Sequence, residues 1–139
     1  MESVKPSEKP KTVKHVVITC MDFRYHEVIR QLLMDEHNID IDQTDQLSIG
    51  GPANSIIDCK LMPSLEIAYN KHQARNIWLF EHIDCGGFGG LAAFDNNVRK
   101  EAEAHFDAID RAQEAVHAVM SEFVIVSYVI DLNGQPIER

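Results

Sequence analysis

Three short runs of consecutive apolar and β-branched residues most constrain the fold: HVVITC (15–20), NIWLFEH (76–82) and EFVIVSYVID (122–131). A strand exposed on one face alternates apolar and polar residues, whereas these runs stay apolar at neighbouring positions, as strands covered on both faces do. A fourth, shorter strand is expected at QLSIGG (46–51), ending in a glycine turn. Helical segments separate the runs. YHEVIRQLLMDEH (25–37) places Val28, Ile29, Leu32 and Leu33 on one face, and Val98, Ala102, Phe106, Ile109, Val116 and Met120 recur at helical spacing over 97–121. Residues 54–72 also look helical, with Pro63 expected to end one helix and start another. IDIDQTDQ (39–46) is a polar connection, and the Asn133–Gly134 pair signals a turn. Strands alternating with helices predict an α/β fold, a mainly parallel central sheet flanked by helices.

The chain has 139 residues, the length of one domain. Residues 1–14 are polar and lysine-rich and are expected to form a flexible N-terminal arm, leaving 15–139 as a single α/β domain. The formal net charge of −9 would repel phosphate backbones, and no basic patch interleaves with aromatics, which argues against nucleic-acid binding. No apolar run is long enough to span a membrane. The three cysteines, Cys20, Cys59 and Cys85, do not form an even set for a disulfide framework. They suit reduced thiols, free or metal-bound, in a cytoplasmic protein.

Two motifs fall at expected strand ends. CMDFR (20–24) offers a thiol, a carboxylate and a guanidinium at alternate positions, and HIDC (82–85) offers an imidazole and a second thiol. Each cysteine alone reads more readily as a small packed apolar group. Each motif alone is weak, because Asp–Arg pairs are common on surfaces. Together they supply two sulfurs and one ring nitrogen at the carboxyl ends of parallel strands, where sites in such sheets form. That donor set suits Zn²⁺ and leaves a fourth tetrahedral position open.

With CMDFR followed by HIDCGG, the chain resembles the β-class carbonic anhydrases, which carry a Cys-x-Asp-x-Arg and a His-x-x-Cys-Gly signature. SLEIAYNKHQARNIWLFEHIDCGG is similar to that family's helix, strand and zinc loop, and YVIDLNGQ to its last strand and turn. The resemblance runs from about Val16 to Gly134 and is greatest to the small prokaryotic branch. It implies that Cys20, His82 and Cys85 bind zinc and that Asp22 and Arg24 form the catalytic dyad beside it. It implies reversible hydration of carbon dioxide to bicarbonate by a metal-bound hydroxide, in a homodimer or higher homo-oligomer. Carbonic anhydrase is itself the reference case for zinc lowering the pKa of water to about 7.

Two departures bear on substrate and rate. Family members usually carry Arg-Asn-Ala-Gly after the second strand, where this chain has SIGGPAN (48–54) with no arginine. A glycine commonly precedes the zinc histidine, where this chain has Glu81. The altered loop keeps open a related zinc hydrolase acting on carbon disulfide or another small substrate. A catalytically silent zinc-binding module, closed by Asp22, is the third alternative, and the intact Arg24 counts against it. Among the remaining residues, Cys59 reads as a structural thiol within a helix and His26 as part of a solvated helix face. Glu101 and Glu103 also read as solvated. Asp84 could cap the following segment or orient a ligand. Phe23, Tyr25 and Phe88 either wall an apolar pocket or belong to the core.

Overall fold

The computed structural model describes residues 4–139; the first three residues of the expected arm lie outside them. Strands β1 (His15–Thr19), β2 (Asp45–Ser48), β3 (Asn76–His82) and β4 (Val124–Ile130) form one sheet in the order β2-β1-β3-β4. Every pairing is parallel, with Val16 opposite Asp45, His15 opposite Asn76 and Asn76 opposite Val124. The helices are α1 (His26–His37), α2 (Pro52–Ile57), α3 (Met62–Asn70) and α4 (Val98–Val119). The expected α/β architecture is therefore present, with the sheet wholly parallel.

Both faces of β1 and β3 are covered, which explains their unbroken apolar runs, whereas the edge strand β4 is half-buried over much of its length. Val16, Ile18, Ile77 and Leu79 pack with Ile56, Leu65, Ala102, Ile109 and Val116 on the side of α2, α3 and α4. Val17, Trp78, Phe80 and Ile130 pack with Ile29 and Leu33 of α1 on the other. Each fully buried side chain of this size contributes about 1.5–3 kcal/mol from water exclusion. In β3 the alternation continues to the strand end, so Glu81 follows Ile77 and Leu79 toward α4, and His82 follows Trp78 and Phe80 toward the α1 side.

From β1 the chain crosses to β2 on one flank and later returns to β3 on the other. This reversal of strand order leaves a crevice at the carboxyl ends of β1 and β3, the position where ligands bind in open parallel sheets. Cys20 directly follows β1, and His82 is the last residue of β3.

Local details differ from expectation in two places. The break in 54–72 falls at 58–61, ahead of Pro63, which lies within the first turn of α3, where its missing N–H costs nothing. Cys59 belongs to this turn rather than to a helix; it has φ 63° and is exposed. The helix α1 ends in a left-handed cap: Asn38, at φ 55°, donates to the Met34 carbonyl, and Ile39 donates to that of Leu33.

Candidate metal centre

The ends of β1 and β3 bring Cys20, His82 and Cys85 together. One potential ligand atom from each lies within 4.8 Å of the others, and all three residues are buried. His82 Nδ1 donates to the Ile83 carbonyl at 2.8 Å, which leaves Nε2 as the ring nitrogen free to accept or to bind a cation. That Nε2 is buried and lacks a hydrogen-bond partner. An orphaned buried ring nitrogen is costly, and a cation held by Nε2 and the two sulfurs would satisfy it. The Tyr25 ring lies 4.1 Å from the His82 ring, centroid to centroid, and its hydroxyl donates to the Ile83 carbonyl at 2.8 Å. Burial pushes the Tyr25 phenol up to about 12, so this donor stays protonated.

The electrostatics favour a cation. The hydrogen bond between the two thiols lowers the pKa of Cys20 and raises that of Cys85. Burial opposes the Cys20 thiolate, whereas His82 and the backbone N–H groups of Asp22 and Gly51 support it. Burial also depresses the His82 imidazole, but the Cys20 sulfur and the Ile83 carbonyl outweigh it and the net shift is upward. A divalent cation would remove the repulsion that keeps Cys85 protonated, giving the two thiolates and neutral imidazole that metal binding requires. The three residues fit such an ion.

Asp22 and Arg24 stand beside this group as a closed pair. Arg24 Nη2 donates to Asp22 Oδ2 at 2.7 Å, Nε lies 3.1 Å from both carboxylate oxygens, and the Arg24 backbone N–H donates to Oδ1 at 3.0 Å. These bonds, chiefly those from the Arg24 side chain, hold the Asp22 carboxyl down at about 2. The guanidinium also reaches the loop after β3, donating to the Asp84 carbonyl at 3.1 Å and to its carboxylate at 3.3 Å. Arg24 thus ties the segment after β1 to the segment after β3.

Asp84 caps the glycine-rich turn beyond Cys85, its Oδ1 accepting from the Leu91 N–H at 2.8 Å. Gly87 packs backbone to backbone on Gly51, bringing the SIGGPAN loop against the HIDCGG loop. His26 is exposed and its Nε2 donates to the Cys20 carbonyl at 3.1 Å. Tyr25 is core, Phe88 lies against His105 with ring centroids 4.1 Å apart, and Phe23 is neither core nor pocket wall, being 83% exposed.

One expectation is corrected. Glu101 is not solvated: it is fully buried, and its carboxylate accepts from the backbone N–H groups of Asp84 at 3.0 Å and Cys85 at 3.1 Å. His105, equally buried, bridges Glu101 at 2.8 Å and Glu81 at 3.0 Å. Glu81 also accepts weakly from the Ala53 N–H, at 3.4 Å. Glu81, Glu101 and His105 were missed as partners of the site. The signal lay in α4, where Glu101 and His105 share the helical stripe of Ala102, Ile109, Ala112 and Val116. Ionisable groups on an apolar stripe are buried only when paired.

Among the described residues, no helix is long and apolar enough to cross a membrane. An uncharacterized protein of Rickettsia bellii is 23% identical over 128 residues, covering 86% of this chain and 77% of its own length. The Rickettsia conorii uncharacterized protein RC0076 is also 23% identical, with 86% and 68% covered. The fold is similar to a carbonic anhydrase from Glaciozyma antarctica, with TM-score 0.55 and 17% identity over 92% of this chain and 82% of that one. It is also similar to a β-carbonic anhydrase isoform I of Trichomonas vaginalis, with TM-score 0.62 and 15% identity over 98% and 86%. Such low identities bear on the fold alone. The sequence itself, from residue 10 to residue 138, matches the family described as "Putative carbonic anhydrase", and the chain belongs to that family.

Proposed function

We propose that this chain is a zinc enzyme that hydrates carbon dioxide reversibly to bicarbonate. In this proposal Cys20, His82 and Cys85 hold the metal, and Asp22 and Arg24 are the catalytic pair. The observation that carries it is the convergence of two buried thiols and one buried imidazole, its Nε2 unpartnered, at the crevice between β1 and β3. Two sulfurs and one nitrogen suit zinc and leave one tetrahedral position for the reaction. Zinc in such a site supplies the Lewis acid that makes water nucleophilic near neutral pH.

The chain's own residues then have separate tasks. Asp22, held near pKa 2, is ionised at neutral pH and serves as a fixed acceptor that orients the reacting water. It is too acidic to store a proton there. Arg24 holds both Asp22 oxygens and keeps the carboxylate from turning onto the metal. Tyr25 shields the His82 ring and fixes its tautomer through the shared Ile83 carbonyl. Met21 and Phe23, exposed on either side of Asp22, offer an apolar surface for a second copy, consistent with a homodimer or larger homo-oligomer. The reading places the enzyme in the cytoplasm, with carbon dioxide and bicarbonate rather than nucleic acid or membrane as partners.

Stopped-flow carbon dioxide hydration from about pH 7 to pH 9, with zinc measured on the same sample, tests the proposal. Activity with about one zinc per chain is expected. Zinc without activity at any pH would overturn the substrate and make carbon disulfide the next one to try. Folded protein that takes up no zinc would overturn the metal reading itself.

A further inference from the structure

The loop that carries Cys85 is held from beneath by α4. Glu101 Oε1 accepts from the Asp84 N–H and Oε2 from the Cys85 N–H, and Oε2 also faces His105 Nε2 at 2.8 Å. His105 Nδ1 in turn meets Glu81 Oε1 at 3.0 Å, on the residue before His82. All three side chains are fully buried. The network therefore touches the backbone of one candidate ligand and adjoins another, from a helix that contributes no ligand itself.

The loop needs such a hold. Asp84 has φ 61°, in the left-handed region that a residue with a side chain occupies at a cost. It is fixed by Glu101 through its N–H, by Leu91 through its carboxylate and by Arg24 through its carbonyl. Of these, only Glu101 also binds the next residue, Cys85. Two converging backbone N–H bonds to one carboxylate fix the direction in which the following side chain leaves the loop. At full burial these hydrogen bonds are shielded from competition with water.

We propose that Glu101, held by His105 and Glu81, is a positioning residue that fixes the Asp84–Cys85 backbone and so presents the Cys85 sulfur to the metal. The inference rests on the proposed metal site and extends it to α4. It also accounts for the acidic residue at position 81, since Glu81 completes the support of His105.

The test is zinc affinity of folded protein, measured by chelator competition on wild type, Glu101→Gln and Ile109→Ala. Gln is nearly isosteric, but its amide NH₂ replaces one acceptor, so a donor faces a donor on the loop or on His105. Glu101→Gln is expected to weaken zinc binding about 10–100-fold, the usual effect of losing a group that orients a ligand. In the cobalt-loaded form it should weaken the sulfur-to-metal charge-transfer band. Ile109→Ala, about two turns further along α4 and also fully buried, should lower stability while leaving the affinity of the folded protein unchanged. If Glu101→Gln does not fold, Glu101→Asp withdraws the carboxylate by one methylene and carries the same expectation. Wild-type affinity and an unaltered cobalt band in a folded Glu101 variant would overturn the inference and leave the metal site standing. A wild type that binds no zinc would overturn the proposed function first.

Discussion

Alanine at Gly87 and at its neighbour Gly86 should have opposite consequences. Neither glycine has a positive φ, so the comparison isolates packing from backbone strain. A Cβ at Gly87 would sit 2.6 Å from the Gly51 nitrogen, 2.8 Å from its Cα and 3.1 Å from the Gly50 carbonyl carbon. Ordinary contact begins near 3.4 Å, so the first two distances fall short by about 0.6–0.8 Å. Every atom met is backbone, and no rotamer change can relieve the clash; the two loops must part. Overpacking of this kind costs about 1–3 kcal/mol, and the absence of a flexible partner puts this case in the upper half. For a domain of this length that is a fall in Tm of about 6–15 °C. The Gly51 backbone also helps to hold the Cys20 pKa down, so zinc affinity should fall with stability. A Cβ at Gly86 meets nothing within 4 Å. Gly86→Ala should therefore be neutral or stabilise by up to about 1 kcal/mol through the unfolded chain. Thermal denaturation followed by near-ultraviolet circular dichroism, with zinc affinity measured on each variant, provides the comparison. Equal stabilities, within about 0.5 kcal/mol, would refute the close approach of the two loops and the support it gives Cys20.

Further expectations concern the site itself. Asp22→Asn should keep its zinc and lose carbon dioxide hydration by about 10²-fold or more, by stopped flow, because an amide cannot replace the ionised acceptor; full activity would remove Asp22 from the mechanism. Chelating the metal should lower Tm by about 10 °C when free zinc had stood near 100 times its Kd, a linkage of about 2.7 kcal/mol. The Asp22–Arg24 pair should stabilise the fold above the ordinary carboxylate pKa and lose that contribution as pH falls from about 4 toward 2, since the folded-state pKa is the lower one. Acid titrations of wild type and Asp22→Asn should therefore converge at the acid end. Arg24 is 42% exposed, so the difference at neutral pH should be small.

Much of the fold was legible in the sequence because a few strong constraints coincide. Strands covered on both faces are continuously apolar, as β1 and β3 are, and the three apolar runs located β1, β3 and the half-buried edge strand β4 to within two residues. The short β2 carries only half-buried and exposed residues and showed mainly through its glycine turn. The convergence of Cys20, His82 and Cys85 came from placing two motifs at strand ends. The support beneath them was harder to see. Glu101 occupies a core position of α4, but its charge suggested solvent, and only its partner His105, itself held by Glu81, shows why burial is tolerated. Cys59 was misplaced because the helical pattern ran past a turn whose left-handed residue is not glycine. Phe23 is exposed because Asp22 caps a short 3₁₀ turn that directs it outward rather than into the site.

The most direct test of the central claim is X-ray absorption at the zinc edge on reconstituted protein near neutral pH. Cys20, His82 and Cys85 as ligands predict two sulfurs at about 2.3 Å and two nitrogen or oxygen neighbours at about 2.0–2.2 Å. A single sulfur, or none, around bound zinc would contradict the ligand set on which the whole account depends.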